Sequence, residues 1–176
     1  MWETIIIVGC YFISCLLIIS GALKVVSVQK FSALLINSLK LSNKLSLVFA
    51  IAISLFEIIV GAMILLHLFI EIVLWCVLTF MIAVTVFVAI KLFKGQIEES
   101  CGCYGQFIDE KISYSKLLTN VFNVLIITTA IVIDFNSINI RFDENIIYII
   151  SSIILTFLYL LLLKLKSFYS SMDQLN

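Results

Sequence analysis

The chain has 176 residues, 63% of them hydrophobic and only 12% charged, with a mean hydropathy of +1.23. A soluble domain is about half apolar and about a quarter charged, so these charges are too few to cover a water-facing surface, and the composition is that of an integral membrane protein. Eleven Lys+Arg balance eleven Asp+Glu, which leaves no basic excess to attract nucleic acid.

The first apolar stretch, about residues 4–26, follows the short lead-in MWET. Glu3 stands where a cleavable signal carries a basic region, and no small-residue cleavage site follows, so the stretch reads as a retained span. It holds Cys10 and Cys15 and ends in SGALK, where Ser20 and Gly21 form a small-residue face and Lys24 is expected to snorkel to the interface. The second span, about 46–66, carries Glu57, with Gly61 one turn on along the same face. A carboxyl at this depth costs about 2.5–3.5 kcal/mol on insertion scales and is a functional candidate by default. If both helices run straight across, Glu57 lies about 18 Å from Lys24. A tight polar link at His67 and Glu71 leads to the third span, about 71–91, with Cys76 near its start. After the polar segment KLFKGQIEESCGCYGQFIDEKISYSK come a fourth span, about 117–134, and a fifth, about 145–164. Asn120, Asn123 and Asp134 mark the fourth, and hydrogen bonding across helices is expected of the two amides.

Each span exceeds or approaches the roughly 20 residues needed to cross hydrocarbon. Each must be helical, because an open strand leaves backbone groups unpaired in lipid. The expected fold is therefore all-α, a polytopic membrane bundle of about five transmembrane helices. No internal repeat is present, and no loop is long enough for a second soluble domain. Ten lysines (24, 30, 40, 44, 91, 94, 111, 116, 164 and 166) fall on one side of this topology and only Arg141 on the other. The bias predicts an outside N-terminus, with the C-terminus and the CGCYG loop in the cytoplasm.

CGCYG, residues 101–105, is the stretch that bears on chemistry. A bond between Cys101 and Cys103 requires a turn, which Gly102 permits because it lacks a side chain. Gly105 extends that freedom, and Tyr104 can anchor the loop at the interface. A disulfide over so short a ring is strained and hence exchangeable rather than a staple. Three readings stay open from the residues alone: a redox pair, half of a metal site, or a glycine-rich turn with inert thiols. Zinc needs four ligands; one cysteine pair is present, the lone His67 lies at the opposite face, and only a dimer could supply four thiolates. Five cysteines are an odd number, so a purely disulfide-stapled framework is excluded. Cys10, Cys15 and Cys76 read as small residues tolerated in helices, or as an electron path from the outer half of the membrane. If that path exists, replacing one of them with Ser changes the redox state of the loop pair.

Taken together, SGxxK, ExxxG and CGCYG resemble the MauE family, named for methylamine utilisation and related to the DoxX-like membrane proteins. Ser20, Gly21 and Lys24, then Glu57 and Gly61, then Cys101, Gly102, Cys103 and Gly105 fall on its motif positions, and Asn120 on its polar position after the cysteine loop. The family's usual signature is CGCFG, from which Tyr104 departs. The resemblance covers about residues 1–135, taken as a four-helix MauE/DoxX-like domain, and leaves 136–176 as an additional span and tail. It implies a thioredoxin-like partner and a part in maturing a disulfide-rich protein outside the cytoplasm. The leading expectation is a membrane thiol–disulfide oxidoreductase exchanging through Cys101 and Cys103, with Lys24 and Glu57 supporting packing or proton handling. The alternatives are a non-catalytic scaffold for a partner, or a small transporter coupled through Glu57. No motif argues for a quinone, and no metal site is assigned. Thiols placed in the cytoplasm conflict with maturation outside it, unless electrons cross the membrane or one segment is re-entrant.

Overall fold

A polar backbone in hydrocarbon has no water to pair with, so its hydrogen bonds must close within each segment. In the computed structural model, which describes residues 2–39, 42–95, 112–133 and 142–173, every described element is a helix. They are α1 (Trp2–Val26), α2 (Val28–Leu39), α3 (Asn43–Leu65), α4 (Ile70–Phe93), α5 (Tyr114–Val132) and α6 (Phe142–Asp173). Five contain segments long and apolar enough to cross a membrane: Thr4–Val26, Asn43–Leu65, Ile70–Phe93, Tyr114–Val132 and Ile146–Phe168. The chain is thus a polytopic helical membrane protein, as the hydropathy pattern predicts.

The region between the first two spans, which the hydropathy pattern leaves outside the membrane, is largely the helix α2. The helical ladder passes nearly unbroken through Ser27: its amide donates to the Leu23 carbonyl, and the Phe31 amide donates to the Ser27 carbonyl. The Ser27 hydroxyl also bonds Leu23 O at 2.7 Å, the back-bonding that bends helices. Beyond the bend, α2 lies along the start of α3, where the Ser46 hydroxyl donates to Ser32 O.

Helix α1 is the centre of the bundle and touches α2, α3, α5 and α6. Its N-terminal half supplies Ile7, Cys10, Tyr11 and Ile13 to an apolar core with Val60 and Ile64 of α3, Val73 and Val77 of α4, and Ile127 of α5. Helix α6 joins through α1, where Ser152 Oγ donates to Val8 O at 3.1 Å and Phe12 meets Tyr159 edge to face at 5.8 Å. Its other faces expose Ile147, Ile154, Phe157 and Leu162, which suits a helix bathed in lipid. Hydroxyls on the spans are satisfied by carbonyls one turn back, as at Ser54, Thr85 and Thr129.

The link between α3 and α4 is short enough to force His67 and Phe69 into left-handed backbone, at φ 56° and 48°. That region costs a side-chain-bearing residue about 1–2 kcal/mol, and Phe69 is largely exposed. Phe69→Gly should therefore raise the stability of the detergent-solubilised protein by about 1 kcal/mol. An unchanged or lower melting temperature would show that the aromatic ring outweighs the backbone relief.

Candidate functional site

The site begins where α1 and α3 approach most closely. A Cβ on Gly21 would stand 2.7 Å from the Ser54 carbonyl oxygen, and one on Gly61 would stand 2.7 Å from Ile18 Cγ1 and 2.9 Å from Ser14 O. Neither position tolerates a side chain without moving backbone. The contact is fastened by the Ser14 hydroxyl, which donates to Gly61 O at 2.6 Å. One turn separates Gly21 from Lys24, and one turn separates Glu57 from Gly61, so close packing of the glycines sets the two charged residues face to face.

Lys24 Nζ lies 2.5 Å from Glu57 Oε1, and Ser20 Oγ donates to Glu57 Oε2 at 3.1 Å. Both carboxylate oxygens are therefore engaged. Lys24 is 5% exposed and Glu57 3%, so the pair is desolvated. Each charge depends on the other for compensation. Two expectations are corrected here. Lys24 does not snorkel, and it is not about 18 Å from Glu57. The cause is the continuation of α1 into α2: the helix does not leave the membrane domain at Lys24, so this residue stands inside the bundle at the level of Glu57. Phe31, returning on α2, places its ring 5.1 Å below the ammonium, a cation–π contact.

Next to this pair is a cavity of about 320 Å³. Its apolar walls include Phe31 and Leu35 of α2 and Phe80, Val84 and Phe87 of α4. Its polar lining is Ser20, Lys24 and Glu57, with Lys116, Asn120 and Asn123 of α5. The Ser113 side chain accepts from Lys116 N and starts α5. The steps of four and three residues from Lys116 to Asn120 and Asn123 then put all three on one helix face. All three are buried. The amide nitrogen of Asn120 has no hydrogen-bond partner, so the expected bond across helices is absent at this residue.

Of the residues singled out from sequence, Ser20, Gly21, Lys24, Glu57 and Gly61 come together at the α1–α3 contact, with Asn120 on the cavity they border. Cys101, Gly102, Cys103, Tyr104 and Gly105, with Asp134 and Arg141, lie outside the described residues. The cysteine segment is bounded by Gly95, whose φ of 74° closes α4 in the conformation glycine favours. On its other side is Ile112, which packs on Val88 and Leu92. Val88 also lines the cavity. Cys10 and Cys15 are buried and Cys76 exposed, and none of the three forms a disulfide. His67 lies in the α3–α4 link, away from the cavity, and burial pushes its imidazole below the usual range.

Sequence reasoning missed Phe31, Leu35, Phe80, Phe87 and the cavity role of Lys116. For α2 a signal was available, since Phe31, Leu34 and Leu35 repeat at the i, i+3, i+4 spacing of an amphipathic helix. The phenylalanines of α4 carried none, because α4 is apolar all round.

These features define a class: a helical membrane protein with a buried ion pair beside a partly polar cavity within the bundle. The sequence model described as Methylamine utilisation protein MauE matches residues 2–133. The chain belongs to the MauE family, and the match spans α1 to α5 while α6 lies beyond it. No curated protein and no solved structure matches the chain.

Proposed function

We propose that this MauE-family protein is a membrane thiol–disulfide redox protein that exchanges with a thioredoxin-like partner and supports disulfide formation or maturation of another protein. The observation that carries the reading is CGCYG in a MauE-family chain. A thiolate of the reduced partner attacks a sulfur of the Cys101–Cys103 disulfide, a mixed disulfide forms, and the partner's second thiolate displaces the loop thiolate. Two electrons and two protons pass from the partner's dithiol to the loop pair, and the partner leaves with a disulfide to pass on. The frame is compatible with this reading: Ile112, just after the segment, packs on Val88, which lines the cavity. The lysine bias orients that end to the cytoplasm, with the N-terminus outside. Residues 136–176, on this reading, are an added span and tail beyond the family domain.

Replacing both cysteines, Cys101→Ser with Cys103→Ser, should abolish disulfide maturation of the dependent protein in producing cells while the variant still accumulates in the membrane. Full activity of that variant would leave the scaffold reading, which the rigid α1–α3 contact favours. That reading predicts loss on Gly21 or Gly61 substitution alone.

A further inference from the structure

The cavity has a chemical character that the cysteine reading does not use. Three phenylalanines, Phe31, Phe80 and Phe87, stand on its walls, and aromatic rings favour flat ring partners in stacked or edge contacts. Asn120, 5% exposed, lines the same cavity, and its amide nitrogen has no partner. A buried donor left unpaired is costly, so this residue is poised to gain from a ligand that accepts a hydrogen bond. The neighbouring carboxylate is already compensated by Lys24 and Ser20, which removes the call for a cationic ligand. The volume of about 320 Å³ is at the lower end of the range for small-molecule sites, about 300–1,000 Å³.

Among the described residues, helix α2 packs on α1 and α3, and α4 on α3 and α5, while α2 and α4 share no substantial contact, which leaves a lateral seam. Phe31 and Leu35 of α2 and Val84 and Phe87 of α4 line the cavity across this seam. A molecule reaching it laterally must be soluble in the hydrocarbon of the bilayer.

We propose that the cavity binds a membrane-borne, quinone-class molecule: a flat ring lodged among Phe31, Phe80 and Phe87, with a ring carbonyl accepting from the Asn120 amide and an apolar tail leaving between α2 and α4. The assignment rests on the cavity and is independent of the chemistry proposed for Cys101 and Cys103.

The test uses the full chain in detergent micelles, titrated calorimetrically with 2-decyl-1,4-benzoquinone and, separately, with decylbenzene, which has the same tail without carbonyls. The expected result is saturable quinone binding at one molecule per chain, with decylbenzene at least about tenfold weaker, the weight of one buried hydrogen bond. Asn120→Leu should lower quinone affinity about tenfold and leave decylbenzene unchanged. Equal binding of the two probes would make this an acyl-tail pocket and overturn the proposal. So would the absence of saturable binding, or an Asn120→Leu protein that binds quinone as well as the parent. Should that variant not fold, the comparison of probes on the parent protein decides. The double cysteine-to-serine variant should bind quinone normally, so failure of the redox reading and failure of this one are separable.

Discussion

Lys24→Met should destabilise the protein by about 3–5 kcal/mol, because it leaves the Glu57 carboxylate buried without its counter-charge. Glu57 is 3% exposed, and among the described residues its other oxygen accepts from the Ser20 hydroxyl alone, so no second cation stands in for the lost ammonium. The double variant Lys24→Met with Glu57→Leu should recover most of the loss. Replacing a buried ion pair by apolar groups of similar size is often neutral or stabilising. Unfolding of the three proteins in one detergent, followed by circular dichroism, makes the comparison. A Lys24→Met protein as stable as the parent would mean that the pair contributes nothing to holding α1 on α3. A double variant as weak as the single one would mean that the loss arises from packing and not from charge.

The second large effect is expected at the glycines. Gly21→Ala and Gly61→Ala each press a methyl group to within 3 Å of a backbone oxygen on the facing helix. Backbone cannot rotate away as a side chain does, so each should cost about 1–3 kcal/mol, the usual penalty of overpacking. Gly9 is the internal control. A Cβ there meets only the Ile126 side chain, at 3.0 Å. All three changes gain about 1 kcal/mol of helix propensity, so only the clash separates them, and Gly9→Ala should stay within about 1 kcal/mol of the parent. Equal melting temperatures for the three alanine variants would contradict the close crossing of α1 and α3.

The five spans were legible because each is an apolar run of sufficient length, and lipid leaves such a run no other structure. The small-residue face at Ser20 and Gly21 and the carboxyl at Glu57 were legible for the same reason, since polar and small residues stand out in hydrocarbon. Their meeting was not. Register between helices depends on where each one enters the bundle, and the continuation of α1 through Ser27 into α2 moved Lys24 inward. Hydropathy cannot show that shift, because α2 mixes Gln29, Lys30 and Asn37 with its apolar residues and falls below the pattern of a span. The cavity was hidden for a related reason. It exists where α2 and α4 fail to pack, a property of two surfaces and not of either sequence. The unpartnered amide of Asn120 likewise becomes visible only once its surroundings are known.

One labelling experiment decides the redox role proposed for Cys101 and Cys103. A variant keeping only these two cysteines is expressed in intact cells and treated with a membrane-impermeant maleimide, with and without prior reduction, alongside permeabilised cells. Labelling is expected only after reduction and only in permeabilised cells, which would mark a reversible disulfide on the cytoplasmic face. Labelling from outside after reduction would reverse the orientation while keeping the chemistry. Thiols that label fully without reduction under every condition would contradict the redox role.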